Sequence, residues 1–123
     1  MDILKEVVGK TIKRIEGLEE GSCFVDIYFT DNTKLGFYHW QDCCENVNLH
    51  DFEITTSLEK IVGGVINDAR EDVGEKGHDG WESFTWTFYN INTSKGCINM
   101  RWLGESNGYY SESVDLELVE VKL

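Results

Sequence analysis

Apolar and polar residues alternate along most of this chain, and the alternation predicts strands. Thr11–Glu16 reads as a short strand. Cys23–Thr30 sets Phe24 and Tyr28 against Val25, Ile27 and Phe29; Asp31-Asn32 suits a tight turn, and Thr33–Trp40 returns as the second strand of a hairpin. Val47–Ile54 and Val65–Val73 read as strands, Gly74–Gly80 as a polar, glycine-rich loop, and Tyr109–Val121 as the last strand. Two short helical stretches interrupt the pattern. Asp2–Val8 has Asp2 as N-cap and Gly9 as stop, and Leu58–Val62 has Ser57 as N-cap and ends at Gly63-Gly64.

The most aromatic stretch is a hairpin over Ser83–Leu103, with Asn92–Gly96 as its loop and a turn at Gly104–Gly108 beyond it. Alternation groups Phe84, Trp86 and Phe88 on one face and Thr85, Thr87 and Tyr89 on the other. On the returning strand Ile98, Met100 and Trp102 oppose Cys97, Asn99 and Arg101. Folding the strands back sets Thr87 about opposite Arg101 and Phe88 about opposite Met100, which makes one face an apolar slab and the other a polar wall fit for a ligand.

The elements repeat. Leu4–Ile12 matches Leu58–Ile66 in every apolar position and in the glycine, and Cys44–Leu49 parallels Ser111–Leu116 in the same order. The fold class expected is α+β: a single domain over 1–123, mainly antiparallel β-sheet with two short helices. Its plan, helix–strand–hairpin–strand, occurs twice, over about 2–54 and 57–121. Such a unit gives two similar half-sheets on a shared core, or one continuous sheet. The repeat also pairs Glu45 with Glu112, each a carboxylate on the apolar side of a predicted strand. Such a group is paired, exposed at an edge or realigned by a bulge. The bland reading is a glutamate at a wet strand start; the functional one is a grip on ribose hydroxyls or on Arg101.

Composition narrows the partners. The 123 residues hold 11 basic and 23 acidic side chains, a net charge of −12. DNA, RNA and anionic membrane meet a repelling field, whereas a small anion in a pocket is governed by the nearest cations. The opening Met-Asp-Ile-Leu-Lys-Glu lacks the pattern of a signal peptide, no apolar run reaches membrane-spanning length, and the four cysteines follow no disulfide spacing. A cytoplasmic, reduced protein is expected.

Candidate chemistry is sparse. His39, Cys43, Cys44 and His50 are metal-capable, but adjacent cysteines aim their side chains apart, so two buried thiols and no metal are expected. A Cys–His nucleophile from His39 meets Asp42 and Glu45, which oppose thiolate formation. No nucleophile-elbow, phosphate-loop or dinucleotide fingerprint appears, and no cofactor is expected.

What remains is recognition. Arg101, Asn92 and Lys95, with the glycine turn and Asn107, can cradle a pyrophosphate while Trp86, Tyr89 or Tyr110 stacks on a base; Thr87 and Glu112 complete the candidate set. Trp86 fits this set only if its slab lines a cleft or a subunit boundary. Arg101, set between Met100 and Trp102, needs an anionic partner, which Asp115 or Glu117 can supply within the protein.

His39-x-Gln-Asp-Cys-Cys-Glu45, Trp86-Thr-Phe-Tyr89 and Arg101-Trp-x-Gly-x-Ser-Asn-Gly-Tyr-Tyr-Ser111 with Val114-Asp115 resemble a family of small phage and prophage proteins, the Thoeris anti-defence sponges. The resemblance covers Val8 to Glu117. It implies a non-enzymatic, cytoplasmic counter-defence protein of an infected bacterium. Such a protein binds the cyclic ADP-ribose isomers made by TIR-domain immune enzymes, glyco-cyclic ADP-ribose among them, and holds them intact. It implies a homo-oligomer, dimer or hexamer, with pockets at subunit interfaces, and in some members a separate site for cyclic oligonucleotides. On this sequence the implied roles are Arg101 for phosphate, Asn92 and Asn107 for polar contacts, and Trp86 or Tyr110 for stacking. A chain this acidic must then gather its few cations, Arg14, Arg70, Lys95 and Arg101, around the ligand. Two alternatives remain open from the residues: an acidic interaction module or nucleic-acid mimic that blocks a host protein, and a small hydrolase working through His39 and a cysteine or carboxylate.

Overall fold

A computed structural model describes residues 2–79 and 82–121. Helix α1, Ile3–Glu6, is capped by the Asp2 carboxylate, which accepts from the Leu4 amide at 3.1 Å. Helix α2, Leu58–Ile61, is capped by Ser57, whose hydroxyl accepts from the Lys60 amide at 3.1 Å. Strands β1 to β4 span Ile12–Glu16, Val25–Phe29, Thr33–Tyr38 and Asn46–Ile54. Strands β5 to β8 span Ile66–Asp79, Glu82–Thr93, Gly96–Ser106 and Asp115–Glu120. The protein is thus mainly antiparallel β-sheet with two short helices, and the order helix–strand–strand–strand–strand occurs twice. No described helix is long and apolar enough to cross a membrane.

Of the two arrangements expected from the repeat, two similar sheets on a shared core form, but with their fourth strands exchanged. The strands make two four-stranded antiparallel sheets, β1-β2-β3-β8 and β4-β7-β6-β5. Each half therefore builds a three-stranded meander and gives its fourth strand to the other half's sheet: β4 runs beside β7, and β8 beside β3. The matching stretches that open each half meet across reciprocal bonds. Gly9 N–H donates to Ile66 O and Gly63 N–H to Ile12 O, each at 2.8 Å, while Ile12 N–H donates to Gly64 O and Ile66 N–H to Lys10 O, each at 2.9 Å. Thr11 bridges Val65, its counterpart. Reciprocity of this kind is what a local two-fold axis produces. One hydrophobic cluster draws on both sheets and both helices, from Leu4 and Ile61 to Phe37, Leu49, Ile91 and Trp102. The sheets meet where the Tyr89 ring stands edge-on to Phe37 at 4.9 Å.

Two boundaries depart from expectation. Gly74–Asp79 is not a loop but the outer half of β5, with Gly80 outside the described residues. A Cβ on Gly74 would lie 2.4 Å from the Phe88 ring and one on Gly77 2.6 Å from the Phe84 ring, so the glycines leave room for aromatic neighbours on β6. The last strand begins at Asp115 instead of Tyr109, because the chain spends Asn107–Val114 crossing from one sheet to the other.

Candidate functional site

The aromatic hairpin forms, but its faces are not those expected from alternation and loop length. Thr93 pairs with Gly96, so the turn is only Ser94-Lys95. The Thr93 hydroxyl closes it, accepting from the Lys95 amide at 3.0 Å and donating to Gly96 O at 2.8 Å. This shorter turn moves the register by one residue: Phe88, not Thr87, stands opposite Arg101, and Tyr89 stands opposite Met100. A one-residue slip exchanges every side chain between faces. Thr87 and Tyr89 therefore turn into the core at 3% and 1% exposure, while Trp86, Phe88, Asn90 and Asn92 share the open face with Arg101 and Asn99.

That correction brings Trp86 to Arg101. The guanidinium lies over the indole at 4.9 Å, and His50 stands edge-on to the same indole at 5.1 Å. The internal partner of Arg101 is Asp51 on β4, not Asp115 or Glu117 on β8. Nε reaches Oδ1 at 3.0 Å and Nη2 reaches Oδ2 at 2.5 Å, a bidentate pair. Beside it a groove of about 590 Å³ runs across all four strands. Arg70 and Asp72 border it on β5, Phe88 and Asn90 on β6, Asn99 and Arg101 on β7, Asp51 and Glu53 on β4. The Asn90 amide donates to the Asn99 side chain, and Arg70 donates to Asp68 at 2.6 Å. Phe88 is 37% exposed, so the groove has an uncovered aromatic ring.

Most other predicted site residues lie elsewhere. Asn92 is on the open face but accepts from the Cys97 thiol at 2.7 Å, and Lys95 is at the hairpin tip beside Gly63. Asn107 folds back on its own loop, accepting from the Tyr109 amide at 3.0 Å. Thr87, Tyr110 and Glu112 line a separate hollow of about 490 Å³ with Lys76, Ser83 and Thr85. Tyr89 borders the groove but is buried, its hydroxyl donating to Glu71 at 2.6 Å; burial and that carboxylate push its ionisation up.

Glu45 and Glu112 are neither wet strand starts nor contacts of Arg101. Each sits where the chain leaves its own half for the other sheet. The Glu45 side chain is fully buried. His39 Nε2 lies 2.9 Å from it, and it accepts from the Cys43 and Asp42 amides at 2.8 and 3.0 Å and from Gln41. His39 above all, with the backbone donors, holds its carboxyl down to about 2. The other nitrogen of His39 lies 2.7 Å from Ser113 O, on the second crossing. Glu112 accepts from Thr85 at 2.8 Å, from Ser106 at 2.5 Å and from Ser83.

Cys43 and Cys44 correct the expectation of two buried thiols: both are exposed, and their sulfurs are joined as a vicinal pair. No cluster of three or more metal-capable side chains occurs among the described residues.

Sequence reasoning set Asn99 beside Arg101 on the ligand wall but missed Asp51, Phe88 and Asn90 at the groove. The available signal was the parity of the hairpin: with a two-residue turn, positions adding to the same odd sum pair, and Phe88 falls opposite Arg101. The bulge that turns Asp51 outward has no such signature.

Residues 5–116 match a family described as Domain of unknown function (DUF7448). Neither a search of characterised proteins nor one of solved structures finds a match.

Proposed function

We propose that this chain, which belongs to the DUF7448 family, captures a small phosphate-bearing nucleotide in the groove over Phe88 and gives it back unchanged. The ligand class is the cyclic ADP-ribose isomers, glyco-cyclic ADP-ribose first among them, and the role is that of a counter-defence sponge acting as a homo-oligomer in the cytoplasm of an infected bacterium. One observation carries this reading. In a chain of 11 basic and 23 acidic residues, two guanidiniums, Arg70 and Arg101, border the same groove. Arg14 and Lys95 lie away from it, Arg14 over the Tyr28 ring and Lys95 at the hairpin tip.

The rest of the groove suits the same ligand. Phe88 offers a ring to an adenine, the amides of Asn90 and Asn99 offer donors and acceptors to ribose, and about 590 Å³ is a usual size for a small-molecule site. Binding by recognition alone leaves the ligand intact.

The test is capture and release. Incubated with glyco-cyclic ADP-ribose and then heat-denatured, the protein is expected to deplete free ligand and return it unaltered. Recovery of a hydrolysed product points to an enzyme, and undepleted ligand to an interaction module. Arg101→Ala is expected to lower capture at least tenfold, the cost of losing a charge-assisted bidentate contact, with the thermal midpoint little changed because Arg101 is 43% exposed.

A further inference from the structure

The groove contains its own anion. Its two guanidiniums are outnumbered by three carboxylates, Asp51, Glu53 and Asp72, so an anionic ligand entering the unaltered groove meets net repulsion. Asp51 differs from the other two because it holds the Nε–Nη2 edge of Arg101 in a planar, two-bond contact. A phosphate uses that same edge and geometry.

Three features make Asp51 exchangeable. First, a bulge delivers it. Leu49 pairs with Trp102 and Asp51 with Arg101, the register shifting between them. In a regular strand Asp51 would follow Leu49 into the core; the extra residue, His50, turns it outward. Second, Arg101 is held from behind, by Trp86 at 4.9 Å, so the guanidinium keeps its place when the carboxylate leaves. Third, the pair is open, with 43% of the Arg101 and 40% of the Asp51 side chain exposed. An open pair is weak in water, and a pyrophosphate with more charge displaces it.

We infer that Asp51 is an internal stand-in for the ligand's phosphate. It occupies Arg101 in the empty protein and is displaced when a phosphate-bearing ligand binds. The inference rests on the reading of the groove given above and adds its selectivity: ligands with phosphate exchange with Asp51, and uncharged nucleosides do not. Trp86 is then a positioning residue acting through Arg101, and the ring left for the base is Phe88.

The test is a calorimetric titration of the full chain with glyco-cyclic ADP-ribose and, in parallel, with inorganic pyrophosphate. Asp51→Asn keeps the size and one oxygen acceptor but removes the charge. It is expected to bind both probes about two- to fivefold more tightly than the parent, the range for removing an exposed ion pair that competes with the ligand. Asp51→Ser is expected to move the same way, so a folding defect in one variant does not decide the result. Adenosine is expected to bind neither parent nor variant measurably through this edge. If the parent binds and both variants bind equally or more weakly, Asp51 is not a stand-in, while the groove remains the site. If neither parent nor variants take up either probe, the functional reading falls and this inference with it.

Discussion

Glu45 and Glu112 occupy matching positions at the two crossings. Gly104 of β7 stands where His39 stands after β3, as the pairings of Phe37 with Leu116 and of Trp102 with Leu49 show. The first crossing has an imidazole to meet its glutamate. At the second, three hydroxyls, from Ser83, Thr85 and Ser106, donate to Glu112. The consequence for Glu45 has a definite sign. Its folded value, about 2, is below the ordinary 4.5. Its contribution to stability is therefore complete above pH 4.5 and is lost as pH falls from 4.5 toward 2. Glu45→Gln is expected to destabilise the protein at pH 7 and to flatten this acid limb, measured by urea unfolding across pH 2 to 7. An unchanged acid limb would mean that another carboxylate controls it. Both glutamates stand out in the sequence as polar residues in apolar company; the donors to Glu45 lie within six residues of it, whereas Ser83 and Thr85 reach Glu112 from a strand distant in the chain.

The strands and helices follow local rules wherever their environment is local. Asp2 and Ser57 cap the helices as expected, and Val25, Ile27 and Phe29 are buried on one side of β2 as the alternation implies. The departures come where a neighbour decides. Gly74 and Gly77 read as loop residues, yet they continue β5 because the rings of Phe88 and Phe84 lie where their side chains would be. The hairpin keeps its aromatic alternation but changes which residues face Arg101, because Thr93 closes a two-residue turn. Gly104 is tighter still than Gly74 and Gly77: a Cβ there would lie 2.2 Å from the Glu112 carbonyl oxygen, which is backbone and cannot rotate away. Gly104→Ala is expected to cost about 2–3 kcal/mol by forcing β7 and the second crossing apart, read from the denaturation midpoint. A loss below about 0.5 kcal/mol would show that the crossing yields easily.

At the scale of the molecule, the exchange of fourth strands ties the halves together. The sheet built mostly from the first half is completed by β8, and the other by β4. Neither half keeps its own sheet if the other unfolds, so equilibrium unfolding is expected to be a single transition. Near-ultraviolet and far-ultraviolet circular dichroism should follow the same curve; two separated transitions would show that the halves fold independently. The sequence by itself determined what depends on neighbours a few residues away: the helix caps, the periodicity of the strands, the twofold plan and an acidic balance of 11 basic to 23 acidic residues. The tertiary structure alone decided which strand β4 and β8 join, which face of the hairpin carries Arg101, and that Asp51 is its partner. The reason is physical. Caps and periodicity arise from bonds within a turn or a strand, whereas strand partners, register and a bulge are settled by how two distant segments fill one core and satisfy each other's backbone groups.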